Sequence, residues 1–200
     1  MKLIGMLDSP YVRRVAISLE LYGVDFVHEP LSVFSTFSEF ARINPVVKAP
    51  SLVLEDGTVL MDSSLILDYF EALAPPDRKL LPAQAEARAH ALQVLGLALA
   101  ACEKTVQIVY EHHLRPAEKL HAPWIERVTG QLLAAYTLLE KHLAQPSSEP
   151  LSQAALTAAV AWSFTRFKLP TVLEADAFPH LQRHTRALEQ HPAFRRYPIE

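Results

Sequence analysis

Cysteine is almost absent from this chain: Cys102 stands alone among 200 residues. A single thiol excludes an internal disulfide framework and any thiolate-held metal cluster, and it agrees with a reducing compartment. A strong charge of either sign is also missing. Lys and Arg number 19 against 22 Asp and Glu, a formal net charge of −3. The basic pairs Arg13-Arg14 and Arg195-Arg196 are too short to form an electrostatic footprint for nucleic acid, so no nucleic-acid partner is expected. Long apolar runs are lacking as well. The stretch 3–7 is broken by Asp8 and is too short for a signal-peptide core, and no window is expected to approach a membrane span. The resulting expectation is a soluble, cytoplasmic protein without a membrane partner. What is present is apolar content: half the residues are hydrophobic and 20% are charged, enough to bury a substantial core as one large or two small domains.

The chain changes character near its middle. Residues 3–7 read as a strand, 10–21 as a helix ended by Gly23, and 26–30 as a second strand. A poor, short helix over 38–43 closes at Asn44-Pro45. Strands over 51–55 and 58–61 flank Asp56-Gly57, a two-residue hairpin signal, ahead of a helix over 63–73. The order is βαβαββα. After the linker 74–79 nearly everything is helical: 84–114, 117–143, an almost wholly apolar helix over 154–164 capped by Ser152, and 178–190, with a last turn at 191–194. The apolar helix must lie at the centre of a bundle, because apolar residues surround it. The segment 145–150 breaks the preceding helix. Two domains follow, residues 1–77 and 84–200.

Three short segments carry chemistry. In Asp8-Ser9-Pro10-Tyr11-Val12-Arg13-Arg14, a strand runs straight into Ser9 as N-cap and Pro10 at the first helical position, which places one hydroxyl at a helix's positive end. Lys48-Ala49-Pro50 precedes a strand. Asp62-Ser63 opens another helix, where backbone N–H groups suit an anion.

Together these segments resemble the glutathione-transferase family, and the likeness runs over the whole chain. Ser9 to Val12 is similar to a thioredoxin-fold Cys-Pro-Tyr-Cys site with serine and valine in place of the cysteines. Asn44-Pro45-Val46-Val47-Lys48-Ala49-Pro50-Ser51-Leu52 resembles the family's Asn-Pro-x-Gly-Lys-Val-Pro-x-Leu segment. Asp62-Ser63-Ser64-Leu65-Ile66-Leu67-Asp68-Tyr69-Phe70 resembles its Glu-Ser-x-Ala-Ile-x-x-Tyr-Leu segment. The resemblance implies an α+β two-domain fold, thioredoxin-like and then all-helical, a homodimer, and a serine-type transferase of bacterial kind with a detoxifying role. Glutathione is then a co-substrate, and no other cofactor is implied.

A thiol of pKa ~8.5 is a few per cent ionised at neutral pH, so a transferase gains by stabilising the thiolate. Ser9 is the candidate catalytic donor; plain capping is its alternative role. Tyr11 is the nearest rival hydroxyl but sits within the first helical turn, where it suits the substrate cavity better. The resemblance implies a cis Ala49-Pro50 bond whose Ala49 backbone pairs with the glutathione peptide, Lys48 at the glycyl carboxylate, and Asp62 and Ser63 at the γ-glutamyl ammonium and carboxylate. Asp62 stands one methylene short of the usual glutamate. The electrophile pocket is expected between Tyr11 and the end of the first long helix, where Val106, Val109, Tyr110, His113 and Leu114 fall near one face. Metal is not expected: His112 and His113 point about 100° apart, and His180 and His184 lack the intervening glutamate of a zinc hydrolase. Cys102 reads as a small buried apolar residue. Two alternatives stay open, a glutathione-dependent reductase or isomerase and a non-catalytic member that binds a macromolecular partner.

Overall fold

Strand β1 (Lys2–Ile4) lies in the middle of a four-stranded sheet of order β2-β1-β3-β4. The computed structural model describes residues 1–145 and 151–199. β1 pairs in parallel with β2 (Val27–Glu29) and antiparallel with β3 (Ser51–Val53), which pairs antiparallel with β4 (Val59–Leu60). Helices α1 (Pro10–Tyr22), α2 (Phe37–Ile43) and α3 (Ser63–Leu73) complete the βαβαββα order read from the sequence. α1 and α3 pack against each other, and Leu3, Ile4, Val12, Ala16, Leu52 and Ile66 are fully buried between the layers. α1 starts at Ser9-Pro10 and stops at left-handed Gly23, as expected. The hairpin differs in detail. Leu54 N donates to the Thr58 carbonyl and Gly57 N to the Leu54 carbonyl, so the connection is three residues, Glu55 to Gly57. Gly57 at φ 86° supplies its left-handed position.

The helical region contains α4 (Ala85–Leu114), α5 (Ala122–Leu143), α6 (Gln153–Lys168) and α7 (Pro179–Leu188), with α4 packed on both α5 and α6. α6 is the core helix: Leu156, Ala158, Ala159 and Ala161 have no exposure. Its Ser152 cap accepts from Ala155 N at 3.3 Å. In its depth the Tyr136 hydroxyl donates to the Ala161 carbonyl at 2.8 Å and meets Thr165 Oγ1 at 2.6 Å, and Thr165 meets Thr105 at 2.7 Å. Burial pushes the Tyr136 hydroxyl well above its ordinary pKa, the Thr165 hydrogen bond opposing. Cys102 is buried, as expected.

Three expectations are corrected. α5 begins at Ala122 rather than 117, because Pro123 lacks an N–H and fits only a first helical turn; residues Ala117–Lys119 form a separate 3₁₀ turn. α4 is long and apolar enough to cross a membrane by length and composition, contrary to the expectation that no window would be, and 28% of that window is buried within the protein. The domain division also shifts. The chain forms two units, Met1–Leu81 together with the tail from Gln190, and Pro82–Glu189.

The tail joins the first unit through contacts on α1 and beside β2. Arg13, itself 1% exposed, donates from Nε to the Tyr197 carbonyl at 2.9 Å and lies over the Phe194 ring. Phe26 stacks on Tyr197, and Arg196 pairs with Glu20 at 2.9 Å. Helix α8 (Pro192–Arg196) and its C-cap residue Tyr197 carry these contacts. At the other border, the buried Glu71 carboxylate accepts from Leu80 N, Leu81 N and the Tyr22 hydroxyl at 2.8–3.1 Å. The breaker segment 145–150 lies outside the described residues beyond Gln145.

Candidate active site

Ser9 sits where β1's extension turns into α1. Its Oγ accepts from Val12 N at 3.5 Å, a long and weak capping bond, while Ser9 N donates to the Met6 carbonyl and Arg13 N to the Ser9 carbonyl. The hydroxyl is half-buried at the positive end of a 13-residue helix. Only a small part of its hydrogen-bonding capacity is used by the cap.

Gly5 brings the next element beside this helix start. A Cβ built there, at φ 139°, would lie 2.5 Å from Val12 Cγ2 and 3.3 Å from Ala49 Cβ. The absence of a side chain therefore lets α1 and the loop before β3 approach one another. That loop carries Ala49-Pro50, whose peptide bond is cis, as the resemblance implied. The Met61-Asp62 bond is cis too, which the sequence did not announce.

The loop is held by a residue whose role the sequence reading missed. Asn44, buried at the end of α2, donates to Ser51 Oγ at 2.8 Å and accepts from Val46 N at 3.0 Å; Ser51 in turn donates to the Lys48 carbonyl at 2.7 Å. Ala49 takes part in no backbone hydrogen bond among the described residues. Val47 has φ 51°, a left-handed conformation that a β-branched residue adopts only at a cost. It occupies the position where the related segment carries glycine.

At the start of α3, Asp62 Oδ1 accepts from Ser64 N at 2.9 Å and Leu65 N at 3.4 Å. The carboxylate itself thus caps the helix and occupies two of the amides expected to receive an anion. Beneath it lies a second unforeseen residue. Arg14, 1% exposed, donates from Nη1 to Ser63 Oγ at 3.2 Å and to Ser64 Oγ at 3.4 Å. Ser63 is buried and Ser64 exposed. Because Ser63 Oγ accepts from the guanidinium, its own O–H remains a donor, polarised by the positive charge behind it. The sequence signal was present in Arg13-Arg14, but nothing local distinguishes a buried arginine from a surface one.

Ser9, Ala49-Pro50 and the start of α3 are thus linked within the first unit, through Gly5 on one side and Arg14 on the other. Lys48 is exposed and forms no ion pair among the described residues. Tyr11 is half-buried in α1's first turn, whereas Tyr110, His113 and Leu114 lie exposed on the last turn of α4 in the second unit. His112 is exposed beside them; His180 and His184 are committed elsewhere, to Glu140 and to the Ala155 carbonyl. Among the described residues no group of three or more His, Cys, Asp or Glu is placed to hold a metal ion.

A mixed sheet with α1 and α3 packed together, followed by a helical region, defines a thioredoxin-like domain joined to an all-helical one. Residues 3–78 match the family model described as Glutathione S-transferase, N-terminal domain. Over 206 residues, 97% of this chain and 88% of the relative, the sequence is 29% identical to the glutathione S-transferase zeta class of Euphorbia esula. A stretch of 80 residues, 39% of this chain and 36% of the relative, is 39% identical to the probable maleylacetoacetate isomerase of Caenorhabditis elegans. A solved glutathione S-transferase from Methylobacterium radiotolerans, in complex with glutathione sulfonate, is similar with a TM-score of 0.91, covering 98% of this chain and 93% of that one at 25% identity. Residues 3–78 thus match the glutathione S-transferase N-terminal domain, and the chain over its length is similar to glutathione S-transferases.

Proposed function

We propose that the protein is a glutathione-dependent transferase in which the Ser9 hydroxyl donates a hydrogen bond to the glutathione thiolate. The observation that carries this reading is the position of Ser9 at the positive end of α1 with its hydroxyl only loosely committed to the cap, at 3.5 Å. Donor and helix dipole both favour the ionised thiol, the form that attacks. In this reading the glutathione backbone pairs with the Ala49 N–H and carbonyl as an added strand. The γ-glutamyl carboxylate takes the Ser63 hydroxyl backed by Arg14, its ammonium meets Asp62, and Lys48 meets the glycyl carboxylate. For the electrophile, Tyr11 is the candidate contact in the first unit, and Tyr110, His113 and Leu114 are the candidates in the second. The working unit is a homodimer in the cytoplasm.

A second reading, a glutathione-dependent isomerase, is favoured by the zeta-class and maleylacetoacetate isomerase relatives. The same thiolate would add to a conjugated double bond, allow rotation about the resulting single bond, and leave again with glutathione regenerated. A reductase is disfavoured because Ser9 stands where such chemistry uses cysteine. Calorimetric titration with glutathione tests the shared premise, and absence of binding overturns both readings. Turnover on aryl halides, epoxides and hydroperoxides, set beside isomerisation of maleylacetoacetate, separates them. Sedimentation showing only a 22.4 kDa species at micromolar concentration refutes the dimer.

A further inference from the structure

A contact between Asn44 and Met61 joins two of the elements assigned above to glutathione. The Asn44 side chain is buried, and its amide nitrogen serves two acceptors, Ser51 Oγ at 2.8 Å and Met61 Sδ at 3.1 Å. Its carbonyl oxygen accepts from Val46 N at 3.0 Å. From Ser51 the hydrogen bonds continue to the Lys48 carbonyl at 2.7 Å, next to Ala49. From Met61 a single peptide bond leads to Asp62, whose carboxylate caps α3. One amide thus ties the loop before β3 to the start of α3.

The thioether is the weak point of that tie. Sulfur is a poor acceptor and keeps a second lone pair free for chemistry. Met61 is half-buried, directly after the edge strand β4 and beside the exposed Asp62, so a small oxidant can reach it. Cys102, by contrast, is fully buried.

We propose that Met61 is a reversible oxidation site, and that its conversion to the sulfoxide by a hydroperoxide weakens glutathione binding. The proposal rests on the reading of the preceding section, in which the loop before β3 and the start of α3 hold glutathione. A sulfur lone pair attacks the terminal oxygen of the hydroperoxide; the O–O bond breaks as the S–O bond forms. The hydrogen of that oxygen passes to the departing one, which leaves as water or an alcohol. Sulfur gives up two electrons and the peroxide takes them. The gap between Sδ and Nδ2 is already one hydrogen-bond length, so no oxygen fits between them. The sulfoxide must turn its oxygen away and give up Asn44, or push Asn44 aside. The first leaves a buried amide hydrogen without its acceptor; the second moves the group that holds Val46 and Ser51. Either way Ala49 or Asp62 loses part of its support.

The test treats the full-length protein with hydrogen peroxide, removes the peroxide, locates the added oxygen by peptide mass spectrometry and titrates with glutathione by calorimetry. Met61 should gain one oxygen in the folded protein, and affinity should fall about fivefold or more, the scale of one lost hydrogen bond. Reduction by the two methionine sulfoxide reductases, one for each epimer, should restore it. Met61→Leu, of similar volume without the reactive sulfur, should lose nothing on treatment although Met1 and Met6 remain oxidisable. A Met61 that stays unoxidised overturns the proposal. So does an affinity unchanged once Met61 is oxidised, or a loss that the reductases fail to reverse or that Met61→Leu shares. If Met61→Leu does not fold, the reductase arm on the natural sequence decides. Absence of glutathione binding before treatment overturns the reading of the site and this proposal with it, whereas absence of the oxidation effect alone leaves that reading standing.

Discussion

Glu140 of α5 caps α7 at His180. One carboxylate oxygen accepts from His180 N at 2.8 Å and from its Nδ1 at 2.6 Å; the other accepts from Leu181 N at 2.9 Å. α7 follows Phe178, which has no side chain able to cap, so a helix 40 residues earlier in the chain supplies the missing acceptor.

Burial pushes the Glu140 carboxyl up, but the hydrogen bonds from His180 and Leu181 outweigh it and hold the pKa below the ordinary glutamate value. A depressed pKa means that the folded state binds the proton less readily than the unfolded one. The stabilisation is therefore present above the ordinary glutamate pKa and is lost as pH falls through the lowered value. Glu140→Gln should lower stability at neutral pH by about 1–2 kcal/mol. The gap between variant and wild type should close in acid. Thermal melts at pH 7 and near pH 4 check this; an equal gap at both refutes the charge-dependent cap.

Ser9→Ala should leave glutathione affinity nearly intact and raise the bound thiol's pKa by about one to two units, since a unit equals about 1.4 kcal/mol of differential interaction. Conjugation at neutral pH should fall accordingly. Ser9→Cys should lose transferase activity and gain thiol–disulfide exchange, because a cysteine at a helix N-terminus has a lowered pKa. If the ultraviolet thiolate titration and the rate of Ser9→Ala match wild type, Ser9 is a helix cap alone.

Ser63→Ala should weaken glutathione binding by about 1–3 kcal/mol. Arg14 keeps Ser64 Oγ as an acceptor in that variant, so the melting temperature should change little. Calorimetry and a thermal melt on the same sample separate a binding role from a structural one. An unchanged dissociation constant sinks the carboxylate site.

Val47→Gly should stabilise the protein. Relief of the left-handed valine is worth about 1–2 kcal/mol, and the greater freedom of glycine in the unfolded chain takes back about 0.5–1. Urea denaturation should show a net gain of about 0.5–1 kcal/mol. A loss would mean that the half-buried Val47 side chain contributes more than its backbone costs.

The first unit was legible because its signals are local. Ser9-Pro10, Gly23, Asp56-Gly57 and Asp62-Ser63 each mark a boundary through their own backbone preferences. The bundle's central helix was legible from its uninterrupted apolar run. What escaped depends on distance along the chain. Arg13 and Arg14 read only as a basic pair too short for a nucleic-acid footprint, yet adjacent helical positions point about 100° apart. One reaches Tyr197, 184 residues on, and the other the two serines opening α3. No window holds either contact. The start of α5 failed for a different reason: the helix was expected from 117 straight through Pro123, which fits only a first helical turn. The tail was assigned by helical content to the wrong unit, because its membership rests on Arg13, Phe26 and Glu20 rather than on anything within it.

That tail bears on how the protein is made. A ribosome delivers β1 to α3 first, then the whole helical unit, and only afterwards the residues that lie over Arg13. Until Tyr197 emerges, the guanidinium lacks its carbonyl acceptor and the apolar surface beneath Phe194 stays wet. The nascent sheet-bearing region can gather its strands early, yet it completes its interior only when the far end of the chain returns to it. An excised fragment of residues 1–81 would be arrested at that unfinished stage, and adding residues 190–200 as a separate peptide should restore what it lacks.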